Sequence, residues 1–368
     1  MTNIALAAML GGSIPSGYET VYFDRSAGAI AGSVKKYIGR RTADKMPATY
    51  MDQLDYQEPL PFEFLIYLAP ETVWRADMRR FREQFRLAPQ NRDYFGFLKG
   101  TDGLLHIRGA DRIHVALHSL DQLLREIQTW CGAETELVLF SDHGMTMQPP
   151  ERVPVQSHLQ RCGFELSRSL SPANKSRVAL PTFGLIGFAA FYCLPGAEDA
   201  LADALVSLEG IDLALYRAGD SVMVKSARGL ARIDRGAEGS MYRYELLEGD
   251  PLELSEIVKT LREAGQMNNE GFAAADVWTE RTAAHVYPDA LANLYSSLQT
   301  TRVCNPADVL VSLRDGYYFG WSAFEYVVKL VATHGNARQI SSTAFLMSTH
   351  RQLPNVVRAS DAGNLMRG

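Results

Sequence analysis

Three short segments of this chain carry residue types that bind divalent metals. They are Asp102 and His106 in GTDGLLHIRG (Gly100–Gly109), Asp142 and His143 in ELVLFSDHGM (Glu136–Met145), and His334 ahead of Gly335. Carboxylate oxygens and imidazole nitrogens are the donors that zinc and similar ions accept. A lone histidine is more often a satisfied structural residue than a ligand, and an Asp-His pair by itself reads as a structural turn. Five ligand-type residues at three places shift that balance, because two clustered divalent ions need about this many protein ligands. Thr2 opens an apolar segment and is placed to cap a helix. His114 and His118 lie four apart on a helical pattern, but their apolar neighbours and the lack of a Glu between them favour surface or packing roles. His158, His285 and His350 have no company that singles them out.

Each ligand segment has to be delivered by regular structure. The apolar run Leu137–Phe140 predicts a buried strand that stops at Ser141-Asp142-His143-Gly144, and ligand sites in open α/β sheets gather at the carboxyl ends of strands. Pro61–Leu68 (PFEFLIYL) reads as a strand, Glu71–Phe85 as an amphipathic helix, and Tyr94–Leu98 as a second strand running into the Asp102 segment. From Ala110 the apolar residues Ile113, Leu117, Leu120, Leu124 and Ile127 recur at helical spacing. Asn3–Leu10 is rich in helix formers and is ended by Gly11-Gly12. Strand, helix and strand in this order predict an α/β fold with a mostly parallel central sheet flanked by helices.

After Gln148-Pro149-Pro150 the texture changes. Phe183–Cys193 is strand-like and Ala197–Leu208 helical. Ala214–Tyr216, Ser221–Lys225 and Leu230–Ile233 are short strands separated by Gly-Asp and Arg-Gly turns. Helices are expected around Leu254–Ala264 and Pro288–Leu298. Asp308–Leu313 is a further buried strand with a Gly-rich exit, Phe324–Val331 a helix leading to Thr333-His334-Gly335, and Ala344–Ser348 a last strand. This organisation predicts a metal-binding catalytic core from 1–150 and 306–368, with 151–305 as a small α+β insertion or cap.

The bulk numbers exclude some classes. The 368 residues are 46% hydrophobic and 21% charged, with a formal net charge of −5. That balance argues against a general nucleic-acid binder. The basic run Val34–Lys45 reads as solvated surface. Four scattered cysteines form neither a zinc-finger spacing nor a dense disulfide framework. No run of 18 apolar residues offers a membrane span.

Taken together, Asp-x3-His, then an apolar strand into Ser-Asp-His-Gly-Met, then Thr-His-Gly resembles the alkaline phosphatase superfamily. The branch it looks most like is the type I phosphodiesterase/nucleotide pyrophosphatase one. The resemblance covers most of the chain and is weakest in 151–305. It implies a hydrolase with two divalent metal ions, zinc by preference, acting on a small-molecule phosphate ester or diester. By resemblance, Asp102, His106 and His334 hold one metal, while Asp142, His143 and Thr2 hold the other. Thr2, followed by Gly12 and Pro15, matches the family's nucleophile, which forms a covalent phospho-threonine. The family also uses an aspartate upstream of that nucleophile. It has no counterpart here, so the chain reads as truncated ahead of Met1, or else as a naturally shortened and compromised member. A phosphomutase of the same superfamily and a non-catalytic scaffold are the alternative readings. Thr2-Asn3-Ile4 lacks a sulfatase nucleophile context, which places sulfate esters behind phosphate esters.

Overall fold

The computed structural model describes residues 2–33, 49–89, 92–321 and 328–367. The fold is a mixture of α-helices and β-sheets. Its amino-terminal half is mainly helical, and its second half is built around one large sheet.

Helix α1 (Thr2–Leu10) buries Ile4, Leu6, Met9 and Leu10. It ends where expected, at Gly11, whose φ of 78° suits glycine. The expected strand at Pro61–Leu68 is instead a helix. The chain forms a two-residue strand, β1 (Tyr56–Gln57), and then α2 (Leu60–Leu65). Short apolar runs are ambiguous between strand and helix. Here Pro61 sits within the first turn of α2 and Glu63 is acidic there, both of which favour helix initiation.

Helix α3 (Pro70–Leu87) begins on a proline and lays Val73, Trp74, Asp77, Met78 and Phe81 on its buried face. Strand β2 (Gly96–Phe97) pairs in parallel with β1. Asp102 and His106 then lie on a helix, α4 (Gly100–Arg108), rather than in a loop. Two glycines let α4 pack closely. A Cβ on Gly103 would stand 2.5 Å from Ile66 Cγ1, and one on Gly100 would stand 2.7 Å from Asp77 Oδ2. Helix α5 (Ile113–Cys131) buries Ala116, Leu123 and Ile127 against α3 and its neighbours. Strand β3 (Val138–Phe140) forms where the apolar run predicts one, but it is half-buried rather than buried.

The expected mostly parallel central sheet is not what the second half shows. Its strands are β4 (Phe188–Phe191), β5 (Ile211–Ala218), β6 (Ser221–Ser226), β7 (Gly229–Arg235), β8 (Met241–Gly249), β9 (Ala273–Ala274) and β10 (Val309–Leu313). They lie in the order β4-β10-β5-β6-β7-β8-β9, and every pairing is antiparallel. The physical reason is local. Turns at Gly219-Asp220 and Ala227-Arg228 are too short for a crossover, and only antiparallel strands can be joined so tightly. Both faces of this sheet are covered by apolar clusters, so all five residues of β10 are buried. Strand β10, grouped by sequence with the metal-binding core, lies between β4 and β5 of this sheet.

The last strand expected from sequence is present as β11 (Leu346–Ser348), paired antiparallel with β3. A final helix, α6 (Ala359–Arg367), packs on α1, with Gly363 set so close that a Cβ would meet Met9 O at 1.8 Å. The basic run Val34–Lys45 lies outside the described residues, as does the first half, residues 324–327, of the helix expected at Phe324–Val331. Residues 328–331 of that segment carry no helix. Among the described residues, no helix is long and apolar enough to cross a membrane. All four cysteines are free.

Candidate metal centre

The three ligand segments and Thr2 converge on one place. Asp102 and His106 are four apart on α4 and therefore share a face of the helix. His106 Nε2 lies 3.5 Å from Asp102 Oδ2, and His334 Nε2 lies 3.6 Å from Asp102 Oδ1. Beyond β3, His143 Nε2 is 3.3 Å from Asp142 Oδ2 and 3.3 Å from Thr2 Oγ1. The Thr2 hydroxyl also hydrogen-bonds Asp142. The rings of His143 and His334 stack with centroids 3.7 Å apart, and those of His106 and His334 lie 5.0 Å apart. Ligand atoms of Asp102, His143 and His334 all fall within 4.8 Å of one another. The two sets that the resemblance keeps separate are thus interleaved in space.

Local backbone contacts explain how so many polar groups are held together. Gly144 of the Asp-His-Gly turn meets the segment after His334 at close quarters, where a Cβ would lie 2.1 Å from Ile340 O. Its N–H donates to Ser341 O at 3.1 Å, and Ser141 N–H donates to Phe345 O at 3.0 Å. Thr146 and Thr333 exchange backbone hydrogen bonds of 2.8 and 3.1 Å, which sets the Asp142-His143 loop beside His334. The His334 carbonyl in turn accepts from Gly187 N–H at 2.8 Å.

Tautomers follow from the same contacts. With its Nδ1–H donated to Ala332 O at 2.9 Å, His106 keeps Nε2 as a lone-pair donor facing Asp102. With Nδ1–H donated to Gly144 O at 2.9 Å, His143 likewise keeps Nε2 towards Asp142 and Thr2. A second group that fixes the imidazole in this way is a usual companion of a metal-binding histidine.

The electrostatics are those of a site built for cations. Burial pushes the Asp142 carboxyl above its ordinary range, with the nearby Asp102 adding to the rise and His143 opposing it. Burial, reinforced by His143 and His106, holds His334 well below the usual imidazole range, so it stays neutral and can donate a lone pair. Asp102 Oδ1, Asp142 Oδ2 and His334 Nδ1 are buried without a hydrogen-bond partner. Orphaned buried acceptors are costly. Two carboxylates and three imidazoles with such orphans fit divalent ions that take oxygen and nitrogen donors.

A cleft of about 360 Å³ opens beside the cluster, bounded on its metal side by Thr2, Asp102, His106 and His334. Its walls include Phe62, Tyr67 and Trp321, and Lys99 lies 3.4 Å from Glu63 and 4.0 Å from Glu58. These wall residues were not singled out by sequence. Their types are common on helices and turns, and only the packing of α2 beside α4 brings them together. Asn3 also lines the cleft, and its Oδ1 accepts from Tyr50 OH at 3.0 Å. His114 and His118 are exposed on α5, outside the cluster.

No family model and no curated protein matches the chain. Solved structures do. The phosphonoacetate hydrolase of Sinorhizobium meliloti 1021, solved with phosphonoacetate, matches with 14% identity and a TM-score of 0.40 over 93% of this chain. The chain spans 64% of that enzyme's length. Murine ectonucleotide pyrophosphatase/phosphodiesterase 5 matches with 12% identity and a TM-score of 0.42, over 99% of this chain and 81% of its own. The human counterpart matches with 11% identity and a TM-score of 0.34, over 81% and 57%. Each likeness is remote, and the functional reading is built on the side chains.

Proposed function

We propose that this chain is a two-metal phosphoric ester hydrolase acting on small-molecule phosphodiesters, with Thr2 as its nucleophile. The observation that supports it best is the clustering of Asp102, His106, Asp142, His143 and His334, with His143 Nε2 3.3 Å from the Thr2 hydroxyl and with buried acceptors left without partners. Asp102, His106 and His334 would hold one divalent ion, and Asp142, His143 and Thr2 the other, with zinc suited to this donor set. When bound, the ions supply Lewis acidity and positive charge to the phosphoryl group.

The protein's own groups do the rest. Thr2 stands at the first residue of α1, where unpaired backbone N–H groups and the positive end of the helix dipole favour phosphoryl oxygens and a developing alkoxide. The Thr2 hydroxyl lies 3.3 Å from His143 Nε2, and its proton passes to solvent as the alkoxide forms. Attack by Thr2 Oγ1 on phosphorus forms a Thr2 O–P bond as the bond to the leaving alcohol breaks, and the departing oxygen takes a proton from solvent. Water then attacks the phospho-threonine and restores the hydroxyl. The cleft beside α2 and α4 receives the organic part of the ester.

Zinc-loaded protein is expected to cleave a nitrophenyl phosphodiester, with the activity abolished in Asp142→Ala. Activity that survived this substitution would refute the assignment. Product analysis with a phosphosugar separates hydrolysis from the transfer expected of a phosphomutase.

A further inference from the structure

Asp315 lies in the turn that follows β10, ahead of Gly316, whose φ of 81° reverses the chain. It touches none of the ligand residues. One of its oxygens, Oδ1, accepts from two different segments: Thr146 Oγ1 at 3.1 Å and Asn336 Nδ2 at 2.9 Å. Thr146 is three residues beyond His143, and Asn336 is two beyond His334. Both partners are almost fully buried, at 1% and 3% exposure. The other oxygen lies 3.5 Å from Arg338 Nε, and Arg338 reaches the buried Asp212 at 3.7 Å. The two ligand loops also meet through the backbone bridge between Thr146 and Thr333, through Gly144 N–H to Ser341 O at 3.1 Å, and through the stacked rings of His143 and His334. The His334 loop is also moored to β10, through Ala337 N–H to Ser312 Oγ at 2.9 Å.

We infer that Asp315 is a positioning residue, a carboxylate clasp that holds the Asp142-His143 loop and the His334 loop in one register. Its role thereby sets how tightly the cluster takes divalent ions. The inference rests on the metal-site reading above. An ion pair with a partly exposed Arg338 contributes little by itself. Removing the shared acceptor strands two buried donors away from water, and that loss is what an unpaired buried polar group costs. A single oxygen shared between two loops makes the position of one loop depend on the other, and groups that orient metal ligands commonly govern affinity.

The test compares wild type, Asp315→Ala, Asp315→Asn and Thr146→Val as full chains. Zinc affinity is read by calorimetry, and amide hydrogen exchange is followed in 141–146 and 333–337 after chelation. Asp315→Ala should weaken zinc binding by about 10-fold and speed exchange in both segments. Asp315→Asn keeps a carbonyl acceptor for both donors and should stay close to wild type. Thr146→Val removes one arm without changing shape and should fall between them. Unchanged zinc affinity and exchange in Asp315→Ala would overturn the clasp. So would an Asp315→Asn variant as impaired as Asp315→Ala, since the charge on Arg338 would then carry the effect. Wild type that binds no zinc would sink the metal-site reading instead, and the exchange rates would still decide whether the clasp exists.

Discussion

Two buried polar clusters in this molecule are built on opposite principles. Under the large sheet, the Asp212 carboxylate is nearly fully buried, but it accepts from Tyr287 OH at 2.8 Å and faces Arg228 at 3.5 Å and Arg338 at 3.7 Å. Its negative charge is matched by the chain's own cations. The second cluster places Asp102 and Asp142 among three histidines, one held neutral, and leaves buried acceptor atoms without partners. A fold can retain such an arrangement when the compensating charge comes from outside. The first cluster thus reads as a fastening of the fold and the second as a receptor.

That contrast can be broken by substitution. The largest stability effect is expected at Asp212→Ala, which removes the buried carboxylate shared by Arg228, Arg338 and the Tyr287 hydroxyl and should lower the unfolding free energy by about 2–3 kcal/mol, measured by denaturant titration after chelation. In the same assay Asp142→Ala should cost no more than about 0.5 kcal/mol, because the ionised carboxylate it removes is disfavoured by burial and by Asp102, with His143 the largest opposing influence. If the two variants lost similar stability without metal, the distinction would fail. The smallest effects belong to His114→Ala and His118→Ala, on the exposed face of α5, which should leave both diester cleavage and stability unchanged within about 0.5 kcal/mol. A loss of activity in either would place a further ligand outside the proposed set.

Much of the site was legible because its residues carry strong local patterns. Asp102 and His106 stand out as an Asp-x3-His pair, though the sequence reads them as a loop rather than a helix, and the run before Asp142 has no polar interruption. α3 and α5 follow from their amphipathic patterns, and α1 from its helix-forming residues and the Gly11-Gly12 stop. What was not legible came from contacts between distant parts of the chain. PFEFLIYL has the residue types of a strand, and only the prolines at 59 and 61 hint at a helix start. Alternating strands and helices in the first half suggested a parallel sheet. The two-residue turns Gly219-Asp220 and Ala227-Arg228 between β5, β6 and β7 instead demand an antiparallel one. Asp315 binds partners 169 and 21 residues away, and its only sequence signal was an acidic residue at the Gly-rich exit of a buried strand.

The central claim is that the second cluster is a receptor for divalent ions, and metal content tests it most directly. Protein purified with zinc and exhaustively dialysed should retain close to two zinc ions per chain by elemental analysis, falling in Asp142→Ala. A wild-type chain that retains none would contradict the account.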